Sequence, residues 1–161
     1  MFDTITGLPI HPLVVHAVIV LLPLACLGAV LVAAKASWNR RYGWLVLAFA
    51  FVALGSSVVA KESGEKLASR VGWPEDHIEW GEKIPIAAFG LFVLLVILWW
   101  LDRQGAERRT TLAKVVAALV IVAAAGSFAL AVLAGHSGAT AVWKTTIENT
   151  TPGSQPEPGK G

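Results

Sequence analysis

Charge is what this sequence has least of. Asp, Glu, Lys and Arg make up 15% of its 161 residues, against roughly 25% in an average soluble domain. Cysteine is nearly absent as well. The single Cys26 excludes an intramolecular disulfide and a cysteine metal cluster. Its place inside an apolar run makes it a small packing residue. The net charge of +2 is too small to mark a nucleic-acid binder. No basic residue precedes the first apolar run, and its only preceding charge is Asp3. A secretory signal opens with basic residues, so that reading is set aside even though Ala34-Lys35-Ala36 looks like a cleavage site.

What fills the chain instead is hydrocarbon: 55% of the residues are hydrophobic. They gather into four runs, near Leu13–Ala34, Trp44–Ala60, Ile84–Leu101 and Val115–Ala134. A helix needs ~20 mostly apolar residues to cross ~30 Å of hydrocarbon. The first and fourth runs meet that length. The second and third are slightly short and are expected to extend into the polar segment between them. One soluble core could not hide four such runs in a chain this short, so the bilayer is their solvent. The expected fold is all-α: an integral membrane, up-down four-helix bundle over residues 1–149, with a short helical extracytoplasmic segment between helices 2 and 3. Residues 150–161, rich in Pro, Gly, Ser and Thr, read as a disordered polar tail.

Lys and Arg in short connections set orientation. The first connection carries Lys35, Arg40 and Arg41, and the third carries Arg103, Arg108, Arg109 and Lys114. Both are therefore placed in the cytoplasm, with the two termini and the second connection outside a bacterial cytoplasmic membrane. In the second connection, Glu62–Val71 reads as a continuation of the second helix that Gly72 ends. Pro74, Glu75 and Asp76 then open the third, since proline suits a first helical turn and acids suit its positive end. All seven tryptophans fall at expected span ends, where amphipathic rings favour the interface. Small residues recur in the fourth run (Ala117, Ala118, Ala123 to Gly126, Ala129, Ala131) and admit close helix packing or a homo-oligomer. No internal repeat is evident.

The histidines are the one concentration of chemistry. His11 and His16 flank the start of the first helix, His77 leads into the third, and His136 follows the fourth. On this topology all four lie at the outer face. Imidazole is the commonest transition-metal ligand and a frequent haem ligand. With Pro12 as the first helical residue, His11 sits at the helix cap and His16 one turn deeper. His16 and His136, each adjoining a bundle helix, form the first candidate pair, with His11 and His77 the second. Glycines lie close by: Gly81, Gly135 and Gly138. Glu79 and Glu82 read as a solvated helix face rather than partners of His77. Ser56 and Ser57 have no histidine or acid near them in sequence, so nothing points to a catalytic activity of the chain's own. No charged residue lies deep in a span, which argues against a pump or ion carrier.

The segment Gly7-Leu8-Pro9-Ile10-His11-Pro12-Leu13-Val14-Val15-His16, followed by His77 and by Gly135-His136-Ser137-Gly138, resembles a bacterial membrane family catalogued as domain of unknown function 2231. The resemblance covers about Gly7 to Trp143. It departs at Ala17-Val18-Ile19, where the family often has Phe-Pro-Ile, and at Ala139, where it often has a second glycine. Members are similar in sometimes being joined to, or encoded beside, c-type cytochrome or Rieske modules. The resemblance thus implies a redox subunit that exchanges electrons with such a partner, with haem b held by these histidines as the simplest centre; copper or zinc on the same imidazoles are the alternative cofactors. The alternative is a structural or partner-binding membrane subunit with no cofactor.

Overall fold

A computed structural model of the chain describes residues 4–104 and 108–151. A two-residue hairpin, β1 (Thr4–Ile5) with β2 (Leu8–Pro9), precedes four helices: α1 Ile10–Ala34, α2 Ala36–Val71, α3 Glu75–Gln104 and α4 Thr111–Glu148. The helices form an up-down bundle in which α1 packs on α2, α2 on α3, α3 on α4 and α4 back on α1. All four are long and apolar enough to cross a membrane. At 1.5 Å per residue α2 spans about 54 Å and α4 about 57 Å, well beyond the ~30 Å hydrocarbon layer. Their surplus length projects at the end that carries the α2–α3 turn, the N-terminal hairpin and the last turns of α4. That end bears the histidines; the opposite end bears the α1–α2 and α3–α4 connections.

The core is thin because the helices approach closely. Ala25, Ala29 and Ala53 are fully buried, and Leu22, Leu91, Leu95, Leu98 and Val120 fill the space between helices. Small faces allow this approach, and in lipid van der Waals packing is the main force holding helices together. Larger apolar side chains point the other way: Leu24, Leu27, Phe51, Ile86, Phe89, Val122 and Val132 are all exposed. So continuous a girdle would be an aggregation surface in water; on membrane spans it is the lipid-facing surface. Cys26 is buried among packing residues, as expected.

The element ends depart from the sequence expectation in three places. The first connection is a single residue, Lys35, in extended conformation, and Ala36–Tyr42 already belongs to α2. Helix α1 begins at Ile10, so His11 lies inside its first turn rather than at its cap. Helix α4 does not stop near Ala134 but runs through Gly135 and Gly138 to Glu148, so His136 is a helical residue. Glycine ends a helix where φ is positive, as at Gly72 (φ 109°), where α2 stops as expected. Gly135 and Gly138 keep helical backbone, and Gly138 lies against the His77 ring. Residues 152–161 of the polar tail lie outside the described residues.

Helix α4 opens on Thr110, whose hydroxyl accepts from the Ala113 amide at 3.2 Å. Thr110→Ala removes this cap and is expected to cost ~1 kcal/mol, read as a lower unfolding midpoint in detergent. At the same end, cations lie over aromatic rings: Lys35 over Trp38 (5.4 Å), Arg41 over Tyr42 (5.3 Å) and Arg103 over Trp99 (4.5 Å). Such pairs anchor span ends at an interface.

Candidate histidine site

Two imidazoles meet at the histidine end. His11 from the first turn of α1 and His77 from the first turn of α3 lie edge to face, with ring centroids 5.8 Å apart and planes at 78°. Each is held by the second helix of its own hairpin. His11 Nδ1 donates to the Ala60 carbonyl of α2 at 2.8 Å, and His77 Nδ1 donates to the Ala134 carbonyl of α4 at 3.0 Å. A carbonyl can only accept, so each ring carries a proton on Nδ1, and in the neutral imidazole Nε2 is then the acceptor. The Cε1 edge of each ring rests on its anchoring helix, at Gly64 for His11 and at Gly138 for His77.

The two halves share a local sequence. Ala60-Lys61-Glu62-Ser63-Gly64 and Ala134-Gly135-His136-Ser137-Gly138 place a carbonyl, a serine and a glycine at the same offsets. A Cβ on Gly64 would stand 2.9 Å from His11 Cε1 and Nδ1. One on Gly138 would stand 2.9 Å from His77 Cε1 and 3.0 Å from its Nδ1. Each glycine is thus the seat of a ring. The serine three residues after each alanine turns its hydroxyl back into the helix: Ser137 donates to Ala134 at 3.1 Å, and Ser63 to Val59 at 2.7 Å and Ala60 at 3.2 Å. The second helix of each hairpin thus carries the same Ala-x-x-Ser-Gly arrangement beneath a histidine of the first.

Around the pair lies a cavity of about 750 Å³ lined by all four helices. Its walls are mostly apolar, including Val15, Val18, Ile84 and Ala131. Lys61 and Glu65 form an ion pair across one turn of α2 at its rim. Glu79 is exposed and pairs with Lys83 at 2.7 Å, a solvated helix face as expected.

The remaining histidines stand apart. His16 is exposed at the cavity edge, with Nδ1 donating to the Pro12 carbonyl. His136 is exposed and lines no part of the cavity. Helical phase explains both. Five residues turn a helix about 140° and two turn it about 200°. With His11 helical and directed inward, His16 is carried sideways. With Ala134 and Gly138 facing α3, His136 is carried to the opposite face. The structure thus brings His11 and His77 together and does not join His16 to His136. Gly64, which seats His11, was not singled out in the sequence, although its offset from Ala60 repeats that of Gly138 from Ala134.

Three observations fit the His11–His77 pair to a metal ion or a haem iron. In its neutral form each ring, with Nδ1–H given to a carbonyl, keeps Nε2 for ligation. Both have the Nδ1–H···O=C partner that typically orients a metal-bound histidine. Metal–nitrogen bonds are ~2 Å, so two nitrogens on one ion lie ~4 Å apart, a separation within reach of rings 5.8 Å apart. Among the described residues no group of three or more His, Cys, Asp or Glu could hold an ion. Two protein ligands would suit a haem iron, or an ion completed by exogenous ligands, better than a four-ligand structural zinc site.

A second polar cluster, at the opposite end, was not anticipated. Asp102, the last buried residue of α3, accepts from Asn39 Nδ2 of α2 at 2.7 Å. It also accepts from Arg109 at 2.7–3.2 Å. Arg109 goes on to the Val32 carbonyl at 2.8 Å and to the Ala33 carbonyl, the orphan acceptors at the end of α1. One guanidinium thereby ties the α3–α4 connection to the ends of α1 and α2.

No curated protein and no solved structure matches the chain. A family model described as a predicted membrane protein, domain of unknown function 2231, matches residues 7–151. With four membrane-spanning helices bearing the histidine pattern, and with that model covering nearly its whole length, the chain belongs to this family of multi-pass membrane proteins.

Proposed function

We propose that this protein is a membrane redox subunit that holds a b-type haem, or a transition metal such as copper, between His11 and His77. One observation carries the reading: two adjacent imidazoles, each held through Nδ1 by a helix carbonyl and seated on a glycine, line one apolar cavity. Haem b or copper supplies a one-electron couple when bound. The chain's own part is to fix both rings in the ligating tautomer, to shield the centre from water, and to hold it near one membrane face. The excess of Lys and Arg at the other end supports an extracytoplasmic position. There a c-type cytochrome or Rieske protein, the partner that the family resemblance implies, could exchange electrons with the centre.

The test is a reduced-minus-oxidised absorption spectrum of protein purified in detergent from haem-replete cells, with metal analysis of the same sample. The expected result is a bound chromophore or metal at one per chain. His11→Ala or His77→Ala should each abolish it, while His136→Ala leaves it intact. A flat spectrum and no metal in well-folded protein would overturn the reading and leave a cofactor-free, partner-binding subunit in its place.

A further inference from the structure

The outer side of the α2–α3 seam gathers unpaired cations over hydrocarbon, at the end of the bundle away from the histidines. Phe51 of α2 and Phe92 of α3 meet across this seam, with ring centroids 5.9 Å apart. A helix returns to within about 20° of the same direction after seven residues and again after eleven. Towards the start of α2, Phe51 is therefore followed on its flank by Trp44 and Arg40. Towards the end of α3, Phe92 is followed by Trp99 and Arg103. The two helices are antiparallel, so each flank reaches its arginine about 16 Å beyond the phenylalanines. Two cations thus stand at one level on the two sides of one seam. Packing fixes the register: a Cβ on Gly43 of α2 would stand 2.5 Å from Trp99 Cδ1. Arg103 turns back along the seam, its guanidinium 4.5 Å from the centre of the Trp99 ring.

Among the described residues no carboxylate pairs with either arginine. Asp102, next to Arg103, lies about 100° round the helix, where it is buried and committed to Arg109. The start of α2 adds further positive potential. The Lys35 carbonyl takes the Trp38 and Asn39 amides at 3.0 and 3.1 Å, but the Ala36 and Ser37 amides have no acceptor within the helix. No side chain caps this end and its first turn holds no acid, so the positive end of the helix dipole lies one turn from Arg40. The rest of the seam is apolar and open to lipid. Trp44 and Phe51 are exposed, and a cavity of about 370 Å³ beside them is lined by Val96, Ile97, Trp99 and Trp100.

We infer that this seam is a binding site for one glycerophospholipid with a net-negative headgroup. Arg40 and Arg103 hold the phosphate, the two indoles lie at the level of the glycerol esters, and one acyl chain runs along Val96 to the phenylalanine pair. A soluble anion would use the arginines and leave the apolar strip bare, whereas a lipid of the surrounding leaflet uses both. A zwitterionic headgroup brings its own cation to the arginines and gains less. The site stands at the opposite end of the bundle from His11 and His77 and does not depend on any bound cofactor.

The experiment is native mass spectrometry of the detergent-purified full chain, titrated with phosphatidylglycerol and with phosphatidylcholine of identical chains. Phosphatidylglycerol should bind first at one per chain, at least about tenfold tighter than phosphatidylcholine. Each arginine near an anionic headgroup is worth about fivefold, so Arg40→Gln and Arg103→Gln should each weaken phosphatidylglycerol by that factor and leave phosphatidylcholine unchanged. Arg41→Gln and Lys114→Gln remove the same charge from exposed positions outside the seam and should have no effect. Equal affinity for the two lipids would overturn the inference. So would equal weakening by all four variants, which would mean diffuse attraction to a basic surface. Displacement of the lipid by excess glycerol phosphate, which has no chains, would overturn the lipid as occupant.

Discussion

Asp102→Ala is expected to destabilise the folded protein by about 3–5 kcal/mol, the usual cost of removing one partner from a buried ion pair. Its side chain is 1% exposed and that of Arg109 10%. Deleting the carboxylate leaves the guanidinium buried without its counter-charge and strips Asn39 Nδ2 of its acceptor. Arg109→Ala should cost a similar amount, because it strands Asp102 and also uncaps the Val32 and Ala33 carbonyls. The double variant should lose less than the sum of the two, since it leaves no unpaired charge. Asp102→Asn, which keeps an acceptor for Asn39, should fall between wild type and Asp102→Ala. A titration with denaturing detergent, followed by circular dichroism, measures all four. A loss below ~1 kcal/mol for Asp102→Ala would show that the cluster is hydrated at the membrane surface rather than buried.

This cluster shows where sequence reading stops. The four spans were legible because each apolar run is long, and the Gly72 break was legible because glycine and proline punctuate locally. Asp102 sits at the end of an apolar run, beside Trp99, Trp100 and Arg103, where it reads as the first polar residue of a connection. Arg109 counts towards orientation as one positive charge among several. Nothing local says that these two meet each other, or that Asn39, 63 residues from Asp102, completes the cluster. The pairing is a product of helix packing.

The histidines divide in the same way. Their collection at one end of the bundle followed from the spans. Which of them converge depended on helix phase, and phase depends on where each helix starts and ends. Moving the start of α1 from Pro12 to Ile10 and carrying α4 on to Glu148 turns His16 and His136 away and leaves His11 and His77 facing each other. The glycine motif was visible, but the ring it serves was not: Gly138 seats His77 of a neighbouring helix.

That role yields the second large effect. Gly64→Ala and Gly138→Ala each place a methyl group 2.9 Å from an imidazole, against the ring edge that carries Nδ1. The ring must move, and moving it breaks the bond that fixes the tautomer. Loss of such an outer partner typically lowers metal affinity about 10–100-fold, and that is the expected loss for haem or copper titrated into the apo-protein. Stability should respond differently. Alanine is favoured over glycine inside a helix by ~1 kcal/mol, and only one side chain has to yield, so the unfolding midpoint should hold or rise slightly. Gly126→Ala, at a helical site where a Cβ meets nothing within 4 Å, provides the control: the same helix gain with unchanged affinity. On the proposed reading, in which both rings hold one group, the double variant should cost little more than the worse single. Affinity that falls with stability intact separates a ligand site from a packing contact. Affinity unchanged in both variants would mean that neither ring touches the bound group.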